Sequence, residues 1–475
     1  MFLSFLTAFA STMPAQTTWR RSWGGLGSDE GVDVRQLSDE GYLVFGTTGG
    51  FGQGSSDLYA IRTDAEGLPI WSMVYGGPGT DFGAGCREME VGFAMAGTTS
   101  TGQGGGYDMY LVRTDANGEA LWQHSYGGPD WDICRAFTTT NNGYALAGIG
   151  HTETAPQGSG RLLMTDVEGE VLWDFTVGTA DHSEFLCVTS DNDGGVIAAG
   201  TIRNSSGDEN ALIVRLSASG EELWRVSYGG DSTERVHGIV HRADGTIVTC
   251  GTTVSDEVAQ QIQLLAFSST GELLWERRIG NTADAGGAGI VERPDGGLAF
   301  TGYNTLNQGE RDMIFTVTDQ DGWFQYGTNF GNGLTADGRA ISTTVDGGFV
   351  VAGWCEGCGP GPRSVYAVKT NSLGETESLD VISFEDDVSV QEIANSTIES
   401  LWPNPVVSGE DIHFSSRAST ATSVRIMDDL GRLVRAQPAE VVSGTISSRD
   451  LPPGAYTLVV QYPQNKHEFA RFIVR

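Results

Sequence analysis

The chain repeats itself, and the length of the repeat leaves few folds open. Trp71, Trp122, Trp173, Trp224 and Trp275 stand 51 residues apart, and Tyr326 continues the series. Each follows a turn glycine: Gly67, Gly118, Gly169, Gly220, Gly271 and Gly322, with Gly374 as a seventh. A second ladder, Gly46, Gly97, Gly148, Gly200, Gly251, Gly302 and Gly353, ends an apolar run in every unit at steps of 51 or 52. Two independent ladders of seven rungs mark seven structural units.

Within the second unit four short strand-like runs are readable: AGCREMEV, GFAMAGTT, DMYLVRTD and ALWQHSYGG. Runs of this length, separated by Gly, Asn and Asp, mark an all-β protein. Asn117-Gly118 suits the tight hairpin between the third and fourth runs, because both residues tolerate positive φ. Asp-Gly at Asp193, Asp244, Asp295 and Asp346 turns the first run into the second. No helical period intervenes. Four antiparallel strands in about 50 residues compose one propeller blade, so the repeat predicts a seven-bladed β-propeller over residues 18–378. The seventh unit lacks a fourth strand after SVYAVKTNSLGE, while Trp19 to Gly25 aligns with Trp71 to Gly77. The N-terminal strand is therefore expected to complete the last blade and close the ring, leaving no open sheet edge. The recurring tryptophans read as wedges between blades, with a sugar-binding platform as the functional alternative.

Net charge is −33, which argues against nucleic acid or an anionic membrane surface as a partner, since either would be repelled. Only Lys369 and Lys466 are lysines among the 28 basic residues. Residues 1–15, an apolar run ending in small residues, read as a secretory signal peptide, and no other run approaches transmembrane length. Export permits disulfides. Cys355 and Cys358, in WCEGCGPG, read as a local disulfide; a metal half-site and a redox pair are the alternatives. Cys86, Cys134, Cys187 and Cys250 read as buried thiols.

Past Gly374 the pattern breaks. Residues 379–398 are acidic and glycine-poor, as a linker would be, and 399–475 hold alternating runs such as Ser423-Val424-Arg425-Ile426. These predict a small immunoglobulin-like β-sandwich. Pro403-Asn404-Pro405, the run Asp429 to Val434 around Gly431, and Leu451 to Tyr456 with Gly454 come in order before the ending Phe472-Ile473-Val474. In this the segment resembles the type A sorting domain of type IX secretion substrates from Bacteroidota-type bacteria. It departs in having Trp402 where that family usually has Tyr or Phe. The resemblance implies export through the type IX machinery to the cell surface or medium, with this domain as a docking signal free of chemistry. The repeats themselves resemble the propeller arrays of secreted proteins from the same bacteria.

Candidate chemistry is sparse. Glu30, Asp81, Asp132, Glu184 and Asp337 each lie 16 residues before the second glycine ladder. Around a ring they would line the channel mouth and could hold Ca²⁺, a hard ion that prefers oxygen ligands. The competing reading has each carboxylate accepting backbone N–H bonds within its own loop. The seven histidines show no recurring ligand spacing, and no nucleophile elbow, phosphate loop or zinc-protease signature occurs, so no cofactor is expected. The stretch Thr114 to Trp122 resembles the tryptophan motif of quinoprotein propellers and the Asp-box of sialidases. Seven units and no adjacent cysteine pair depart from the quinoprotein pattern, and no arginine triad can be placed for a sialidase. Long Gly/Ser-rich loops, residues 46–57 and 97–108, suit recognition on a rigid frame. The expectation is a secreted or cell-surface binding or adhesion scaffold with a polysaccharide or protein ligand. A carbohydrate-active enzyme with its site at the channel mouth is the alternative, and a purely structural surface component is a third.

Overall fold

The structure is a computed structural model. It describes residues 16–376, apart from 103–104, 179–181, 256–257, 281–282, 306–308 and 332–334, and beyond them 382–383 and most of 398–474. Among the described residues there is no helix. The repeat region forms seven four-stranded antiparallel units, a β-propeller repeat architecture. In the first blade the strands are Asp29–Gln36, Tyr42–Thr48, Asp57–Thr63 and Pro69–Tyr75, hydrogen-bonded in that order. Five more blades repeat this order, beginning at Asp81, Asp132, Ser183, Thr233 and Ala285. The seventh sheet takes Ala336–Thr343, Phe349–Glu356 and Arg363–Thr370 from the end of the repeat region. Its fourth strand is Trp19–Trp23, antiparallel to Arg363–Thr370 with Trp19 opposite Lys369 and Trp23 opposite Val365. Ile382–Ser383 adds a short parallel pairing outside it.

Side-chain size decides how the blades meet. Gly251 shows why the second ladder must be glycine. A Cβ there would fall 1.9 Å from the Arg235 carbonyl oxygen on the neighbouring strand, and the other six rungs give 1.8 to 2.1 Å against the matching carbonyl. The turn ladder has another cause. Gly118 sits at φ +83°, a conformation that costs other residues strain, and the Trp71 ring of the preceding blade lies against it. The same contact recurs at Gly169, Gly220, Gly271 and Gly322, while Gly374 meets Phe315 instead. The indole N–H groups of Trp173 and Trp224 donate to Ala218 O at 3.1 Å and Ser269 O at 3.0 Å. The tryptophans are packing elements between blades. Trp19 behaves alike toward the first blade, donating to Ala65 O at 3.1 Å and resting on Gly67.

The turns that carry these glycines are fixed by side-chain acceptors. Asp115 Oδ1 accepts from the Asn117 and Glu119 amides at 2.8 and 2.9 Å, and Ser217 Oγ accepts from Ser219 and Glu221 at 3.3 and 3.1 Å. The apolar core is distributed between blades. One buried cluster joins the third and fourth blades through Leu162, Met164, Phe185 and Val214. Another joins Trp19, Trp23 and Val34 to Val350 and Val365 of the seventh sheet.

The C-terminal module has two antiparallel sheets. One contains Ile398–Trp402, Asp411–Ser416 and Ser443–Ser447; the other orders Leu433–Pro438, Ser423–Asp428, Gly454–Gln461 and His467–Val474. Ile412, Phe414 and Ile446 from the first and Val424, Ile426, Leu458 and Val474 from the second share one core. Tyr456 belongs to it and donates its hydroxyl to Pro452 O at 2.8 Å, just before Gly454 opens its strand. Residues 1–15, Pro403, Asn404, Pro405, Gly431 and most of the expected linker lie outside the described residues.

Gly251→Ala is expected to destabilise the fold by about 2–4 kcal/mol through backbone overpacking. Gly128→Ala, where an added Cβ meets nothing within 4 Å, is expected to stay within about 0.5 kcal/mol. Equilibrium urea unfolding of the two variants checks the contrast.

Candidate functional site

The first strand of every blade carries a β-bulge at one height. Register shifts occur between Gly31 and Asp33, Gly83 and Gly85, Cys134 and Ala136, Phe185 and Cys187, Val236 and Gly238, Gly287 and Ile290, and Gly338 and Ala340. A bulge leaves one residue unpaired and re-aims its side chain. The residues so placed, Val32, Ala84, Arg135, Leu186, His237, Ala288 and Arg339, all line a central cavity of about 740 Å³. The glycine ladder and the bulges are one feature, because in all seven blades the carbonyl that presses on the ladder glycine belongs to the residue immediately preceding the last one paired before the shift.

The cavity wall is rich in guanidinium groups. Arg35, Arg87, Arg135, Arg235, Arg311 and Arg339 line it, against the carboxylates of Glu30, Asp33 and Asp337. Asp33 is shared, lying 3.1 Å from Arg35 and 2.9 Å from Arg87. Asp337 is shared likewise by Arg311 at 3.4 Å and Arg339 at 3.5 Å. Burial pushes the Asp337 carboxyl above its ordinary range while these two arginines oppose the shift. Arg135 pairs with Glu184 at 2.6 Å and Arg235 with Glu209 at 2.5 Å. His237 stands in this wall, and burial, with Arg339 and Arg235 nearby, lowers its pKa to about 4. The imidazole is neutral at physiological pH.

The five acids singled out by spacing divide between two faces. Glu30, Glu184 and Asp337 pair with the residue after the ladder glycine, namely Thr47, Thr201 and Trp354. Asp81 and Asp132 pair with the second residue after it, Thr99 and Gly150. The hairpins of the second and third blades are one residue shorter between bulge and glycine, so a constant count of 16 lands one position earlier on the strand. One position reverses the face. Asp81 and Asp132 therefore take the place of Asp29: their carboxylates accept from Gly77 N at 2.8 Å and Gly128 N at 3.1 Å, as Asp29 does from Gly25 N at 2.8 Å. Burial raises the Asp81 and Asp29 carboxyls. Asp132 also holds Arg161 at 2.6 Å. Glu30 reaches the cavity, bound to Arg363 at 2.5 Å, and Glu184 is held against Arg135. Among the described residues no three His, Cys, Asp or Glu side chains converge as a metal site would require.

Beside the cavity an aromatic row crosses the loop face of the second and third blades. The Phe82 ring lines the cavity and lies 6.3 Å from Tyr107, which lies 5.4 Å from Trp131, itself 6.1 Å from His151. Phe82 and Trp131 are 43% and 53% exposed. Sequence reasoning passed over both the row and the arginines. The available signal was Trp131 itself, a tryptophan off the 51-residue ladder, and the 51-residue spacing of Arg135, His237 and Arg339 in multiples of one repeat. Cys355 and Cys358 form a disulfide, and the other four cysteines are buried thiols, with Cys134 pushed up to about 12 by burial.

His237 yields a pH dependence. The unfolded chain takes up this proton near 6.5 and the folded chain near 4, so the unfolded state binds more protons between those values. Stability from this group is complete above pH 6.5 and falls as pH drops toward 4. Calorimetry of His237→Gln is expected to show a smaller loss of Tm between pH 7 and 4.5 than the parent chain.

No curated protein sequence matches the chain. Among solved structures, the Neurospora crassa Pan2 WD40 domain is similar at 14% identity and TM-score 0.46, covering 74% of this chain and 92% of its own. A polysaccharide lyase of family PL25, an ulvan lyase, gives 10% identity and TM-score 0.47 over 76% of this chain and 98% of its own. A protein of unknown function from Bacteroides caccae gives 10% and 0.30 over 63% and 98%. The sheet topology, rather than these likenesses, carries the fold. Residues 400–475 match the secretion system C-terminal sorting domain family, and a tail of that family implies export through the type IX system.

Proposed function

We propose that this chain is a secreted or cell-surface binding scaffold, a ring of seven blades closed by its N-terminal strand and delivered by an immunoglobulin-like C-terminal domain. Ring closure is supported by the pairing of Trp19–Trp23 with Arg363–Thr370 and by the buried cluster joining the seventh sheet to the first blade. The observation that carries the binding reading is the cavity, walled by first strands from all seven blades and continuous at Phe82 with exposed aromatic rings. Its acids are engaged by arginines: Asp33 and Asp337 each hold two, and Glu30 holds one. That arrangement suits recognition better than general acid catalysis, which needs a carboxyl free to exchange its proton.

Among the described residues no helix is long and apolar enough to cross a membrane. The match of residues 400–475 to the sorting-domain family makes the C-terminal domain the address in this reading. Removal of residues 400–475 is expected to leave the propeller folded inside the envelope of a type IX-competent host and to abolish its appearance outside. Surface protease accessibility with fractionation checks this. Unchanged appearance of the truncated chain outside the cell would refute the assignment of the tail.

A further inference from the structure

We propose that the ligand is an anionic glycan, with sugar rings laid on the aromatic row and its carboxylate or sulfate groups drawn into the arginine-lined cavity. This deepens the binding reading above and rests on it. Three independent observations point the same way. First, the cavity carries more guanidinium than carboxylate: Asp33 and Asp337 each serve two arginines. Each carboxylate can neutralise one charge, so the two triads retain positive charge inside a chain whose net charge is −33. Low-dielectric walls focus such a local potential, and guanidinium groups bind carboxylate and sulfate through paired N–H donors.

Second, these guanidinium groups stay accessible in the cavity wall: the Arg35, Arg311 and Arg339 side chains are 33%, 43% and 45% exposed. A guanidinium has five N–H donors, so one held by a shared carboxylate keeps donors for a ligand oxygen. Third, the aromatic row begins at the cavity and runs outward with exposed faces at Phe82 and Trp131. Exposed rings grouped at a cavity mouth mark a recognition surface, and their apolar faces match the C–H faces of sugar rings. Tyr107 and Trp131 cross at 88°, and Trp131 and His151 at 74°. Neighbouring rings at these angles offer no parallel platform for successive stacked bases, so a glycan is favoured over single-stranded nucleic acid.

Titration calorimetry of the full chain tests this with four probes: oligogalacturonate, a sulfated galactan oligosaccharide, methyl-esterified oligogalacturonate and a single-stranded oligodeoxynucleotide. Oligogalacturonate or the sulfated galactan is expected to bind at least about tenfold tighter than the uncharged ester, and which of the two binds identifies the anion. Tyr107→Ala with Trp131→Ala is expected to weaken binding by about tenfold or more, and Trp131→Phe to retain most of it. Arg339→Gln is expected to weaken binding and flatten its salt dependence, while Arg339→Lys keeps the salt dependence. Equal affinity for ester and acid, preference for the oligonucleotide, no binding of any glycan, or charged-glycan binding untouched by both variant sets would each overturn the proposal. Binding of the ester as tightly as the acid, with loss in the aromatic variant, would overturn the anionic assignment alone and keep the scaffold role. New reducing ends released from a bound glycan would instead overturn the scaffold role, whatever the charge preference.

Discussion

One steric contact organises this molecule: a first-strand carbonyl pressed against a second-strand glycine in each blade. With no Cβ at Gly46, Gly97 or Gly251, the bulged first strand can approach its partner, and an added Cβ would lie 1.8, 2.1 and 1.9 Å from the carbonyl. That approach permits the bulge, and the bulge turns one residue per blade into the central cavity. Backbone geometry alone thereby creates a set of equivalent positions that sequence can fill freely. In three of the seven blades they are filled by Arg135, His237 and Arg339.

Much of this was legible in the sequence, for a reason visible in the same contact. Positions where only glycine fits, or where a Trp must meet the next blade's turn, repeat at a fixed interval and announce the architecture. The strand Trp19–Trp23 could be placed because its Trp-x-x-x-x-Gly-Gly spacing is that of the fourth strand elsewhere. The site was less legible. Counting 16 residues back from a glycine treats all hairpins as equal, yet the hairpins ending at Phe93 and Gly143 are shorter than the one ending at Tyr42. A difference of one residue sent Asp81 and Asp132 to the loop face, where they accept amide hydrogen bonds. The pair between blades was invisible for a different reason: Arg87 meets Asp33 of the adjacent blade, 54 residues away in sequence, and no local pattern records such a meeting.

Cysteine usage follows the same division between core and loop. Cys86, Cys134, Cys187 and Cys250 sit in blade interfaces as small apolar groups, and burial raises their thiols, which suppresses the reactive thiolate. Cys355 and Cys358 alone are joined. Their loop receives the N-terminal strand directly, since Ser22 Oγ donates to Cys358 O at 2.6 Å. An oxidised loop thus abuts the one strand that comes from the far end of the chain. Oxidation outside the cytoplasm would restrain that loop after export, when the seventh sheet has to hold two distant segments together.

The cavity electrostatics favour function over stability as their explanation. Partly buried charges lose hydration, and a carboxylate shared by two guanidinium groups compensates only part of that loss. A fold held by apolar clusters between blades has no structural need for six arginines around its axis, and Ala84, Leu186 and Ala288 show that apolar residues fit the bulge positions. The four arginines that share a carboxylate are also grouped: Arg35 and Arg87 come from the first two blades and Arg311 and Arg339 from the last two, whereas Arg135 and Arg235, in the third and fifth, are paired with Glu184 and Glu209. The Glu30–Arg363 pair lies between these groups, where the seventh sheet meets the first blade. The two shared-carboxylate groups therefore flank the junction with the N-terminal strand, and the buried cluster that contains Trp19 and Trp23 packs beneath that same junction.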